Sequence, residues 1–279
     1  MSPGERKTLS IIGAGHLGST LGRLWHEQGV FRIGDVATRS MASAQQAAAF
    51  IGAGRPVAGL DGLADADIFL IATADGQLGP VCAGLARNGA IHAGQLVFHC
   101  SGALSSAELA PAATAGAKVA SIHPIRSFAQ PLQVIHSFAG TWCGVEGDAQ
   151  ALNVLGPAFE AIGARLAPVD QQHKTLYHAA AVFASNYLVT LVDATLQAYE
   201  GAGVPRAQAL QMIQPLMTNT LENIFRAGPE AALSGPVARG DFGTVQRQSQ
   251  ALSAFRPELG ALYDLLAQHT AKLAQGRKT

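Results

Sequence analysis

Short runs of apolar, largely β-branched residues alternate with alanine-rich stretches of helical period until about residue 170, where the alternation stops. The runs predict strands at residues 8–12, 33–38, 67–72, 95–99, 118–122, 141–145 and 165–169. Strands alternating with helices imply βαβ units and a parallel sheet. Four of these runs end in small or polar clusters: Gly13-Ala14-Gly15, Thr73-Ala74-Asp75, Cys100-Ser101-Gly102 and His123-Pro124. The carboxyl ends of parallel strands line the ligand crevice of such a sheet, so these clusters are where chemistry is expected.

Beyond that point only helical patterns remain. Residues 171–200 read as one helix that stops at Gly201-Ala202-Gly203, and residues 205–227 as a second, kinked at Pro215. Gly228-Pro229 and Gly235-Pro236 bracket a loop that continues through Gly240-Asp241. Helices at 242–254 and 257–274 follow, the last with Leu259, Leu262, Leu266 and Leu273 along one stripe.

Composition narrows the class. The chain has 279 residues, 48% of them hydrophobic and 14% charged, which supports a folded core and not a disordered tail. Nineteen basic and nineteen acidic side chains cancel, so no electrostatic footprint of a nucleic-acid binder is present. The most apolar run, residues 179–191, is interrupted by Ser185 and Asn186 and falls short of a membrane span. The N-terminal MSPGERKTLSII does not read as a secretory signal. Cys82, Cys100 and Cys143 are an odd, scattered set, which argues against a disulfide framework and for a cytoplasmic setting.

Gly13-Ala14-Gly15-His16-Leu17-Gly18 is a complete G-x-G-x-x-G between a predicted strand and a predicted helix, the context in which this motif is specific for a dinucleotide. Gly13 permits the turn, Gly15 the approach of a pyrophosphate, and Gly18 close contact of helix and strand. His16 and Leu17 would cover the pyrophosphate. Where an NAD site carries an acidic residue at the end of the second strand, this chain reads Thr38-Arg39-Ser40, with Asp35 well before the strand end. A guanidinium flanked by hydroxyls suits a 2′-phosphate, so NADP is favoured over NAD; a solvated loop arginine is the alternative. Thr73, Ala74, Ser101 and Gly102 join the expected cofactor set through their strand-end positions. The expected fold is α/β: a doubly wound, NADP-binding Rossmann domain over residues 1–169 and an all-helical domain over 170–279.

Four further motifs carry a family resemblance. They are His99-Cys100-Ser101-Gly102-Ala103-Leu104-Ser105, Ser121-Ile122-His123-Pro124, Tyr177-His178-Ala179-Ala180 with Ser185-Asn186-Tyr187, and Ser234-Gly235-Pro236-Val237-Ala238-Arg239-Gly240-Asp241. In this order the chain resembles the Rossmann-like, short-subunit dehydrogenase-like oxidoreductases with a C-terminal domain of unknown function. More distantly it resembles pyrroline-5-carboxylate reductases and deazaflavin-dependent NADP oxidoreductases. The resemblance implies hydride transfer to or from a small carbonyl or imine substrate in the interdomain cleft, and a homodimer formed through the helical domain. It departs from the family after Asp241, where Val245-Gln246-Arg247-Gln248-Ser249 lacks the histidine usual there.

Hydride transfer needs a group that gives or takes a proton beside the nicotinamide. His123 follows a strand and precedes Pro124, which restricts the backbone and places the imidazole at the crevice. On an ideal helix Lys174, His178 and Ser185 fall within roughly 40° of one another, and Asn186 about 80° from His178. The resemblance implies His178 as the acid–base group and Asn186 as an amide that orients the substrate. For each histidine the plain alternative is a hydrogen-bonded core residue. Lys174, near the helix start, reads as solvated. Cys100 has no charged neighbour to make it a nucleophile. Arg126 and Arg239 read equally as anchors for an anionic substrate and as loop arginines. No histidine–cysteine spacing matches a zinc site, and no metal ligand is assigned. The rival function is a dinucleotide-binding sensor or scaffold without turnover. Turnover predicts a polar cleft beneath His123 and His178, and a sensor predicts one filled by apolar side chains or covered by the Arg239 loop.

Overall fold

The computed structural model describes residues 6–276, so the first five residues of the N-terminal stretch lie outside the described residues. In chain order the elements are Thr8–Ile12 (β1), His16–Glu27 (α1), Arg32–Thr38 (β2), Met41–Ile51 (α2), Arg55–Ala58 (β3), Ile68–Ile71 (β4) and Asp75–Arg87 (α3). Leu96–His99 (β5), Ala110–Thr114 (α4), Lys118–Pro124 (β6), Pro131–Ser137 (α5), Trp142–Gly147 (β7), Ala149–Glu160 (α6), Arg165–Pro168 (β8) and Lys174–Ala184 (α7) follow. The remainder is helical: Asn186–Gly201 (α8), Arg206–Ala227 (α9), Pro229–Ala232 (α10), Pro236–Arg239 (α11), Phe242–Phe255 (α12) and Pro257–Gln275 (α13).

The eight strands form one sheet in the order β3-β2-β1-β4-β5-β6-β7-β8. The first six follow the doubly wound Rossmann order, and β1 lies between β2 and β4, where the direction of winding reverses. That switch point opens the crevice above Gly13 and Thr73. β1, β4 and β5 are buried along their whole length, which explains why they read as continuous apolar runs. On one face Trp25 of α1 meets Phe31, Phe98 and Phe159 edge to face, and its indole Nε1 donates to the Ala158 carbonyl at 2.9 Å. On the other, Phe69, Leu78, Leu85 and Leu109 are fully enclosed or nearly so.

Several local expectations are corrected. The strand β3, Arg55-Pro56-Val57-Ala58, is not among the runs expected from the sequence. Proline lacks a ladder donor and is tolerated at a sheet edge, which is where β3 lies. β7 runs antiparallel to β6, unlike every other pair, because the connection through α5 returns the chain to the same end of the sheet. The stretch expected as a loop contains α10 and α11, each opened by a proline at its first turn (Pro229, Pro236). The helix expected at 205–227 is present as α9, with Pro215 inside it.

The single helix expected at 171–200 is a 3-10 turn at Gln171–His173, then α7, then α8 after a break at Ser185 (φ −121°). Serine and asparagine compete with helical hydrogen bonding through their own side chains, and Ser185-Asn186 is where the run breaks. Taken together, Gln171–Gly201 is long and apolar enough to cross a membrane by length and composition, contrary to the shorter apolar run read from the sequence. The run read from the sequence, residues 179–191, already includes Leu188, Val189 and Leu191; the added length comes from the helical residues on either side of it.

Two compact units divide between Val182 and Phe183. The sequence places a boundary at 169/170, at the end of β8. The first unit also keeps most of α7, because Lys174 and Tyr177 bond to side chains of the sheet. The second unit has a small buried centre of Leu196, Ala209 and Ile213. Between α8, α12 and α13 it carries an apolar groove of about 540 Å3 lined by residues such as Leu191, Leu252, Leu259 and Leu262.

Candidate active site

The glycine loop shows three distinct requirements. Gly13 has φ +85°, and a Cβ there would meet Thr73 Cγ2 at 2.6 Å, so neither its conformation nor its space admits a side chain. A Cβ on Gly18 would meet Ala72 Cβ at 3.0 Å, which keeps α1 tight against the sheet. A Cβ on Gly15 would point into open space, the free approach a phosphate needs to the first turn of α1. His16 is exposed at that turn, and Leu17 is half-buried.

In the middle of β2, Asp35 is committed to the fold. It accepts two hydrogen bonds from Arg55, at 2.7 and 2.8 Å, and a third from the Ala64 amide at 2.6 Å. Arg39, by contrast, is exposed and makes no hydrogen bond or ion pair among the described residues. The two neighbouring hydroxyls shape the turn: Thr38 Oγ1 donates to the Ser40 carbonyl at 2.8 Å, and Ser40 Oγ accepts from the Ser43 amide as the N-cap of α2. Beside Arg39 lies an apolar slot of about 130 Å3 lined by Ile12, Gly59, Leu60, Thr73 and Val81 among others.

A second pocket, of about 260 Å3, lies further along the strand ends and is built entirely by the first unit. Leu17, Thr73, Asp75, Ser101, Gly102, His123, Arg126 and His178 are among its lining residues. The imidazoles of His123 and His178 meet edge to face with centroids 5.5 Å apart. A Cβ on Gly102 would collide with His178 Nδ1 and lie 2.8 Å from His123 Nε2. His123 Nδ1 is 3.0 Å from the Tyr177 hydroxyl, and burial, with smaller contributions from His178 and Lys174, lowers its pKa to about 4. Burial also raises the Tyr177 phenol to about 12. Both groups are therefore neutral near pH 7. Three enclosed side-chain atoms have no hydrogen-bond partner among the described residues: Thr73 Oγ1, Arg126 Nε and His178 Nδ1. All three residues line this one pocket.

Residues 3–124 match the model of a Rossmann-like domain, and residues 141–270 match a domain of unknown function, DUF2520. The two matches follow one another along the chain. No curated protein matches it. Among solved structures, a candidate NADP oxidoreductase from Bacteroides fragilis is similar at TM-score 0.78 and 19% identity, covering 96% of this chain and 98% of the other. A protein from Thermotoga maritima matches at TM-score 0.74 and 26% identity, covering 97% and 100%. An imine reductase from Myxococcus stipitatus in complex with NADP+ matches at TM-score 0.69 and 14% identity, covering 95% and 94%. Pyrroline-5-carboxylate reductases share the fold as well. These likenesses place the fold.

The DUF2520 match begins at β7 and so includes the carboxylate of a buried network the sequence does not suggest. Lys174 is 1% exposed, not solvated as expected from its place at the helix start. Its Nζ donates to Ser121 Oγ at 2.6 Å and to Glu146 Oε1 at 3.3 Å. Glu146 also accepts from the Ser106 amide and hydroxyl, at 2.9 and 2.6 Å. The signal available in the sequence was Glu146 itself, a carboxylate inside an apolar strand, which requires a buried partner. Next to it His99 is fully buried; Ser101 N donates to its Nδ1 and its Nε2 donates to the Ser105 carbonyl, with burial lowering its pKa to about 4. The network thus holds the Ser101-Gly102 wall of the pocket.

The remaining candidates fall elsewhere. Asn186 opens α8 in the second unit with an exposed side chain, and Arg239 lies on α11 of that unit. Ala74 is the N-cap residue of α3. Cys82, Cys100 and Cys143 are free and buried, and burial raises the Cys100 thiol far above its ordinary range. Among the described residues no group of three His, Cys, Asp or Glu side chains is placed to hold a metal.

Proposed function

We propose that the protein is an NADP-dependent oxidoreductase that moves a hydride to or from a small carbonyl or imine substrate. The observation that carries this reading is the gathering of all three orphaned side-chain atoms in one pocket at the strand ends. A buried polar group without a partner costs about 1–3 kcal/mol, so three of them in one place point to a ligand that completes them. The polar groups within the pocket's mixed lining, among them Thr73, Asp75, Ser101, His123, Arg126 and His178, favour turnover over a sensor, for which apolar filling is expected. The NADP-bound imine reductase of the same fold supports the same class.

The residues present fit the cofactor. Gly13, Gly15, Gly18 and the first turn of α1 would hold the pyrophosphate, the slot beside Leu60 the adenine, and Arg39 the 2′-phosphate. When bound, the nicotinamide supplies or takes the hydride at its ring carbon. His178 gives the substrate oxygen or nitrogen its proton in the reducing direction and removes it in the other. His123, kept neutral by burial and held by Tyr177, completes the wall and restricts water. Asn186 remains our candidate for orienting the substrate. The test is His178→Ala, expected to lower turnover on a panel of carbonyls and imines by about 10²–10⁴ while NADPH affinity by fluorescence stays near wild type. Wild-type protein that fails to bind NADPH overturns the reading.

We also propose that the protein is a cytoplasmic homodimer formed through its helical unit. α9 exposes Leu210, Leu216 and Phe225, the last 86% exposed, and α8 exposes Tyr187 and Val189. An apolar surface of this extent favours a partner, and a stable contact would bury well over ~1,000 Å2. Light scattering at micromolar concentration reads the mass directly, and a monomer refutes the idea.

A further inference from the structure

The guanidinium of Arg126 is fixed along one edge and free along the other. Nη1 donates to the Ser137 carbonyl at 2.7 Å and to Thr141 Oγ1 at 3.2 Å, and Nη2 donates to Ser137 Oγ at 2.9 Å. The ring of Phe138 lies 5.9 Å from the guanidinium carbon. These contacts account for three of its five N–H donors. The two that remain, on Nε and Nη2, form the side edge that pairs with a planar anion through two parallel bonds. Nε is enclosed and has no partner.

No carboxylate of the described residues forms an ion pair with Arg126; Asp75, on the same pocket, is exposed and unpaired with it. Partial burial lowers the guanidinium pKa, so the charge is held against a desolvation cost with no counterion among the described residues. A fixed, partly desolvated cation whose Nε edge lacks a partner beside a pocket is a receptor for an anion.

We infer that the free edge of Arg126 is an anion subsite that takes the carboxylate of a small oxo or imino acid, beside the His123–His178 pair. This rests on the reading of that pocket as the substrate site and names the substrate class. The same edge would also suit a phosphate of the cofactor, and the experiment separates the two sources.

The full-length protein, saturated with NADP+, is titrated calorimetrically with small 2-oxo acids (pyruvate, 2-oxobutyrate, oxamate) and with their neutral amides. The acids are expected to bind about ten- to a hundredfold more tightly than the amides, the range of a charge-assisted bond. Arg126→Gln should abolish that preference, and Arg126→Lys, which keeps the charge without the two-donor edge, should retain part of it. Both variants should keep NADPH affinity within about threefold, read separately by fluorescence. Equal binding of acids and amides by the wild type overturns the inference, as does a preference that survives Arg126→Gln. A tenfold loss of NADPH affinity in both variants without an acid preference assigns Arg126 to a cofactor phosphate and also overturns it. NADPH binding by the wild type is the independent readout of the underlying proposal.

Discussion

His123 and His178, 55 residues apart in sequence, meet edge to face with ring centroids at 5.5 Å, and each turns a ring nitrogen toward Gly102. β6 supplies one ring and α7 the other, while the turn after β5 supplies the glycine. The pair exists only because Gly102 has no side chain.

Gly102→Ala therefore tests the arrangement directly. Its new methyl would occupy the space of His178 Nδ1 and His123 Nε2. Overpacking of this kind costs about 1–3 kcal/mol, and displacement of the imidazoles should abolish turnover. In the Gly102→Ala/His178→Ala double variant the stability loss should be smaller than the sum, since both changes act on one space. Urea unfolding of the four proteins measures this; strict additivity would show that Gly102 and His178 do not compete.

The buried histidines set a pH dependence. His99 and His123 are both lowered to about 4 by burial, from 6.5 in the unfolded chain. Between these values the unfolded chain binds the proton first, so stability is full above about pH 6.5 and falls as pH drops toward 4. Each histidine contributes a slope of at most about 1.4 kcal/mol per pH unit in that window. His123→Asn should remove its share while leaving that of His99. Denaturant midpoints at pH 7.5, 6 and 5 check the difference, and identical slopes for the two proteins would contradict the burial of His123.

Legibility followed the range of the interactions. The glycine loop, the positions of most strands and the small clusters at strand ends are local patterns, and each can be read along a few residues. The antiparallel β7 depends on how a connection crosses the sheet, which periodicity does not encode. Lys174 was misplaced for a related reason: its solvation is decided by Glu146, 28 residues earlier and on a different element. Neither the orphaned Nε of Arg126 nor the meeting of His123 with His178 has any sequence signature beyond residue type.

The two acid–base environments along β2 and just after it lead to opposite expectations. Asp35 is bonded to Arg55 and Ala64, whereas Arg39 has no partner among the described residues. Arg39→Ala should weaken NADPH by about 1.5–3 kcal/mol, the worth of a charged hydrogen bond, and leave NADH nearly unchanged. Asp35→Ala should lower stability without altering the preference between the two cofactors. Fluorescence titration with both dinucleotides decides, and equal affinity of the wild type for NADPH and NADH would defeat the assignment of Arg39.

The buried pair behind the pocket gives the last expectation. Lys174 and Glu146 are each nearly fully enclosed, so the desolvation of both charges must be offset by their mutual attraction and by Ser106 and Ser121. Lys174→Met removes the cation and strands a carboxylate, a change that costs about 3–5 kcal/mol for a buried pair. Glu146→Gln strands the ammonium instead and should destabilise as well. The double variant Lys174→Met/Glu146→Gln leaves no buried charge and should recover much of the loss. The Ser101-Gly102 wall depends on this network through Ser121 and His99, so Lys174→Met should also weaken ligand binding at the neighbouring pocket. A double-mutant cycle by urea unfolding, run with NADPH titrations on the same proteins, reads both effects. Additive losses would mean that the two charges are stabilised separately, and that the wall is held by the strand ends alone.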